Sequence, residues 1–120
     1  MPEKRSVTYH RERLREALRE EIETILEGEL RDPRVGLANV SEVQLAPDNR
    51  TAHIFVAVYG DDDDTEKTLE GLAAARGFIR HQLAERLRLR RPPELFFSLD
   101  KLHGHGDRIE QLLKRINNKK

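Results

Sequence analysis

The chain has 120 residues, with 22 Lys and Arg balanced by 22 Asp and Glu, and no Cys; that is enough for one domain and excludes a disulfide framework, a thiolate metal site and thiol catalysis. Leu, Ile, Val and Phe supply 32 residues, above the roughly 20% below which chains tend to stay disordered. The longest apolar run, Ile54 to Tyr59, is far short of the about 20 residues of a membrane-spanning helix, and Met1 to Arg5 carries no apolar core of a secretory signal, so a cytoplasmic protein is expected.

Taken in chain order, Leu14, Leu18, Ile22, Ile25, Leu26 and Leu30 repeat with the spacing of one helical face. They predict a first helix between Tyr9 and Leu30, capped by Thr8 and ended by Asp32-Pro33, since proline disfavours the helical region for the residue before it. Leu37 to Leu45 reads as a strand with Leu37, Val43 and Leu45 on one face, and Ala46-Pro47-Asp48-Asn49 supplies a turn. In Thr51 to Tyr59, Ala52, Ile54, Val56 and Val58 share one face while Phe55 and Tyr59 share the other. Apolar residues on both faces point to a central strand.

Gly60 and Asp61 to Asp64 read as an acidic loop, with Thr65 starting the second helix. That helix carries Leu69, Leu72 and Ala73. Its apolar phase slips across Ala74-Ala75-Arg76-Gly77 and resumes with Phe78, Ile79, Leu83 and Leu87, which predicts a kink. A β-branched residue at Gly77 is expected to damage folding and binding alike. Pro92-Pro93 stops the helix, and Leu95, Phe97 and Leu99 alternate as a third strand. Ile109, Leu112, Leu113 and Ile116 form a stripe that predicts a terminal helix from Asp107. The sum is one α+β domain over residues 9–116, between flexible ends at 1–8 and 117–120. Its order is α-β-β-α-kink-α-β, with the helices on one face of a three-stranded sheet.

The neutral total hides segregation. Asp61 to Glu70 has a net charge of −5, and Arg76 to Arg91, with six Arg and a single acid, has +5. Arginine's planar fork suits phosphate and stacks on bases, and a tight break between helices lets backbone N–H groups and a helix dipole approach a phosphate. Arg76 lies in the kink; Arg76, Arg80 and Arg91 fall roughly on one side, with His81 and Arg88 adjacent. The competing expectation is that Gly77 serves close helix packing and these arginines pair with Glu20, Glu21 or Glu23.

Other constellations are poorer. His103-Gly104-His105, with Asp100 and Asp107 near in sequence, lacks a third fixed ligand, and Asp61 to Asp64 lacks the spacing and glycine of a calcium loop. There is no phosphate loop, serine-hydrolase elbow or zinc-protease motif, and Ser6, Ser41 and Ser98 have no arranged base. No catalytic residue, metal or cofactor is expected.

Asp32-Pro33-Arg34, Val58-Tyr59-Gly60, Ala75-Arg76-Gly77-Phe78-Ile79-Arg80, Leu87-Arg88-Leu89-Arg90, Pro93-Glu94-Leu95 with Phe97, and Asp107-Arg108-Ile109 with Leu112-Leu113 occur in an order and spacing that resemble the bacterial ribosome-binding factor A family, over about Tyr9 to Ile116. The resemblance implies a KH-like fold of the type II arrangement in which Ala75-Arg76-Gly77 replaces the usual G-x-x-G turn. It implies a non-enzymatic factor that binds free small ribosomal subunits near the decoding region and contacts their rRNA. Late maturation, 5'-end processing of that rRNA and growth in the cold are the implied roles. The acidic loop Asp61 to Asp64 departs from what an RNA groove tolerates and is expected to point away from it. Lys101 to Gly106 also differs from the family, and no role is carried onto it.

The leading expectation is therefore an RNA-binding face built from Ala75, Arg76, Gly77, Arg80, His81, Arg88, Arg90 and Arg91. The partner is the small subunit and its rRNA, and the protein is expected to be a monomer without membrane or small-molecule ligand. The alternative is a protein-interaction module whose arginine face meets an acidic protein.

Overall fold

The burial of Leu14, Leu18, Ile22 and Ile25 along one stripe produces the first helix, α1 (Arg11–Gly28), in the computed structural model, which describes residues 9–100. His10 occupies the N-cap, and its carbonyl accepts from the Leu14 N–H at 2.8 Å. Thr8, the expected cap, and the predicted terminal helix from Asp107 lie outside the described residues. The helix stops before Asp32-Pro33, where the expectation put its end, because the Glu29 and Leu30 N–H groups both turn back onto the Ile25 carbonyl and close the last turn. Asp32 then builds a separate turn, accepting from the Arg34 N–H at 2.9 Å.

The sheet comprises β1 (Ala38–Leu45), β2 (Thr51–Val58) and β3 (Glu94–Leu99), with β2 central as its two-sided apolarity predicts. β1 runs antiparallel to β2, and β3 parallel to it. The register shifts between Val40 and Glu42. A bulge of this kind reverses the alternation of the residues that precede it, so Val40 joins Val43 and Leu45 in the core, whereas Leu37 is 73% exposed and outside the strand. The expected inward Leu37 is thus corrected. Side chains of α1 satisfy groups along β1: Glu23 accepts from the Val40 N–H at 2.8 Å, and Arg11 donates to the carbonyls of Leu45 and Ala46 at 2.9 and 2.6 Å. Covering an edge strand in this way hinders its pairing with another chain.

The acidic run is not a loop. Asp61 is the N-cap of α2 (Asp62–Ala74), its carboxylate accepting from the Asp64 N–H at 2.9 Å while the Asp64 carboxylate accepts from the Asp61 N–H at 3.0 Å. This reciprocal box satisfies two orphan donors, and the Asp64 N–H holds the Asp61 carboxyl below its ordinary pKa. Thr65 therefore sits one turn inside the helix. Further along, Thr68 is buried and its hydroxyl accepts from the Gly36 N–H at 3.0 Å. A Cβ on Gly71 would stand 2.6 Å from Val35 Cγ2, so glycine permits the close approach of α2 to residues 32–36. Ala73, expected inward with Leu72, is exposed.

The predicted kink exists and is one residue long. α2 ends at Ala74 and α3 (Arg76–Leu87) begins at Arg76, with Ala75 between them at φ −89°, ψ 3°. The cause differs from expectation. Gly77 lies in regular helix, and a Cβ added there would meet nothing within 4 Å. The expected structural damage from a β-branched residue at Gly77 is corrected, since neither its backbone nor its surroundings require glycine.

Ile79, Leu83 and Leu87 of α3 join the α1 stripe and the inward residues of the sheet in one core, which includes Ile54, Val56, Leu72 and Leu95. α1 packs beside β1, whereas α2 and α3 pack beside β3. The arrangement is an α+β, KH-like fold.

Candidate nucleic-acid interface

α3 presents three flanks, and its packing decides what each arginine does. Burial of Ile79, Leu83 and Leu87 turns Arg76 and Arg80 toward β3, Gln82 and Arg86 toward α1, and Phe78 and His81 outward. Arg80 is half-buried, and its guanidinium donates to the Pro92 carbonyl at 3.1 and 2.9 Å and to the Pro93 carbonyl at 3.2 Å. It clamps the connection between α3 and β3. Arg86 pairs with Glu21 at 3.3 Å and with Glu29, both from α1, and these carboxylates raise its pKa, Glu29 most strongly. The competing expectation of pairing with Glu21 thus describes Arg86, which is not among the candidate contacts.

The remaining candidates surround the break and the end of α3. Ala75 is half-buried; Arg76, Gly77 and His81 are exposed. The Arg76 guanidinium lies 5.4 Å from the centre of the Phe96 ring, close enough for a cation–π contact. Arg88 closes α3 in the left-handed conformation, φ 55° and ψ 47°, and the Leu89 N–H that follows reaches back to the Ala84 carbonyl. This geometry is usually given to glycine, and here it holds an exposed arginine where the chain leaves the helix. Arg90 and Arg91 continue from it and are exposed. Among the described residues, none of these last three enters an ion pair.

The structure thus gathers Arg76 and Gly77 at one end of α3 and Arg88, Arg90 and Arg91 at the other, about 18 Å apart by helix rise. Arg80 lies between them and is engaged in the fold. Asp61 to Asp64 sit at the far end of α2 from the break. Sequence reasoning missed Phe96. Its signal was the alternation of Leu95, Phe97 and Leu99, which leaves Phe96 on the opposite face of β3. Among the described residues no group of His, Asp and Glu is placed to hold a metal ion, and no helix is long and apolar enough to cross a membrane. His103 and His105 lie outside them.

The fold and this arrangement define a KH-like module whose exposed arginines border a break between two helices. The model of the family described as Ribosome-binding factor A matches residues 10–113, and the chain belongs to that family. It is 56% identical over 118 residues to the ribosome-binding factor A of Koribacter versatilis (strain Ellin345), covering 98% of this chain and 96% of that protein. The crystal structure of ribosome-binding factor A from Thermus thermophilus superposes with a TM-score of 0.67 at 28% identity, covering 75% of this chain and 94% of the other. A Thermus thermophilus homology model fitted into the cryo-electron microscopy map of a complex of that factor with the 30S particle gives a TM-score of 0.54 at 34% identity, covering 72% and 86% of the respective chains.

Proposed function

We propose that this protein is a ribosome assembly factor of the cytoplasm that binds free small ribosomal subunits through their rRNA. It assists late maturation and 5'-end processing of that rRNA and supports growth in the cold. It acts by binding, as a monomer, without catalysis or cofactor. The observation that carries the reading is the division of the arginine run: Arg80 and Arg86 are tied into the fold, while Arg76, Arg88, Arg90 and Arg91 stay exposed on a segment with a single acid. The relative fitted into a 30S complex supports the choice of particle. Exposed guanidiniums at the start of α3 and on the segment that leaves it displace counterions from the phosphate backbone and fix orientation. The open backbone at Gly77 gives a phosphate access to the start of α3.

The test is co-sedimentation with separated small subunits, large subunits and assembled ribosomes across a salt series. Binding to free small subunits alone is expected, with log affinity falling by about 0.7 to 0.9 per phosphate contact for each decade of salt. Replacing Arg88, Arg90 and Arg91 together with Gln should make that slope shallower while leaving thermal unfolding unchanged. No binding to any particle at low salt would sink the proposal. A partner retained after nuclease treatment would favour an acidic protein instead.

A further inference from the structure

Among the described residues the helices cover one face of the sheet, and the other face, which none of them covers, is unusually aromatic. The solvated face of an antiparallel pair is ordinarily polar, yet β2 here presents the half-buried His53 and Phe55, and β3 presents Phe96, 41% exposed. The register aligns two rows across the strands: Gln44, His53 and Phe96 in one, and Glu42, Phe55 and Ser98 in the next. The His53 and Phe55 rings lie parallel within 8° with centroids 4.5 Å apart, and the His53 imidazole is held by the Ser98 hydroxyl at 2.6 Å. Each ring therefore covers the inner face of the other, and the stacked pair, fixed by Ser98, offers its outer faces and edges. At the β3 side stands Arg76, whose guanidinium lies against one side of the Phe96 ring, 5.4 Å from its centre, and leaves the ring 41% exposed. At the β1 side Gln44 donates one amide hydrogen to Glu42 at 3.1 Å, which leaves carbonyl and carboxylate acceptors together at the rim.

We propose that this open face is a stacking site for an unpaired RNA base that carries an exocyclic amino group. The base stacks against the Phe96 ring and the outer side of the His53–Phe55 pair, its amino group is directed to the Gln44 and Glu42 oxygens, and its phosphate meets Arg76. Aromatic platforms on an open sheet bind single-stranded bases because every base offers a π face. Charge complementarity selects a nucleotide over an apolar protein segment: the face carries a cation at one end, acceptors at the other and rings between. Adenine satisfies both functions of a glutamine amide, through its amino group and a ring nitrogen; uracil offers an oxygen where this site already has acceptors. The inference extends the proposed function, because Arg76 belongs both to this face and to the break between α2 and α3. The rings themselves lie on the opposite side of the sheet from the helices.

The experiment uses the full chain and end-labelled hexaadenylate and hexauridylate, read by fluorescence anisotropy, with the small-subunit co-sedimentation run in parallel. Hexaadenylate should bind more tightly than hexauridylate. Phe96→Ala, at an exposed position, should weaken hexaadenylate binding about 5- to 100-fold, the range given by loss of one stacking contact, and Phe96→Tyr should restore it. Equal binding of the two oligomers, or a folded Phe96→Ala protein that binds hexaadenylate like the unaltered chain, overturns the stacking site. If the subunits still co-sediment in that case, the proposed function stands and the stacking site alone fails; if they do not, that function fails on its own experiment.

Discussion

Two groups of arginines divide this molecule, one stitched along α1 and the other left exposed beyond α3, unpaired among the described residues. Around α1, Arg11 holds the β1 to β2 turn through Leu45, Ala46 and Asn49, and Arg86 ties α3 back to Glu21 and Glu29. Beyond α3, Arg88, Arg90 and Arg91 stand exposed. The residue type is the same; what differs is whether a carboxylate or an uncapped carbonyl lies within reach. The first group uses its charge inside the fold, whereas the second, under the proposed function, keeps its charge for a polyanion. Breaking the first group should therefore cost stability, and breaking the second should cost binding.

The sharpest stability contrast lies on α3 itself. Ile79 is fully buried two residues after Gly77, so Ile79→Ala should lower unfolding free energy by about 2 to 5 kcal/mol. A urea midpoint close to that of the unaltered protein would mean that α3 is not packed as described. Arg80→Ala should cost about 1 to 3 kcal/mol, because the Pro92 and Pro93 carbonyls lose a charged donor, whereas Arg90→Ala should stay within about 0.5 kcal/mol. Equal effects of the two would erase the division between stitched and free arginines. Glycines provide a finer test: Gly71→Ala should destabilise by about 1 to 3 kcal/mol through overpacking against Val35. Gly77→Ala should stabilise by up to about 1 kcal/mol, as alanine suits an open helical site, while weakening subunit binding by setting a methyl group where the backbone was open. Unchanged co-sedimentation of that variant would remove Gly77 from the interface.

Much of this was legible in the sequence, for reasons that also mark where legibility ended. Helical stripes and the two-sided β2 follow from burial alone, so α1, α2, the break, α3 and the sheet could be read directly. Leu37 could not, because the bulge after Val40 changes which residues alternate, and no local pattern announces it. The four aspartates looked like a loop by charge, although Asp61 and Asp64 have the spacing of a capping box. Gly77 attracted the explanation of the kink through its known flexibility, whereas of the two glycines flanking the break the one under steric demand is Gly71, whose neighbour Val35 is distant in sequence. Among the candidate contacts, Arg80 was indistinguishable from Arg76 by periodicity. Only the path of Pro92 and Pro93 past α3 separates them.

The smallest effect concerns the turn that α2 packs against. Arg34 donates to both Asp32 oxygens, at 3.0 and 2.7 Å, and its backbone N–H donates a third bond at 2.9 Å. These bonds, the side-chain ones foremost, hold the Asp32 carboxyl at about 2, below its ordinary 3.8. A carboxyl depressed in the folded state contributes stability that is fully present above its unfolded pKa and is lost as pH falls through the folded value. The contribution of Asp32 should therefore be constant above about pH 5 and disappear between about pH 4 and pH 2. Asp32→Asn keeps an acceptor for the Arg34 N–H but removes the charge, so the urea midpoints of the two proteins should differ slightly at neutral pH and converge through that acid window. The difference should be small because the pair is exposed and screened by water. A gap that stays constant down to about pH 2 would show that the carboxylate is not held by Arg34, and would place Arg34 with the free arginines.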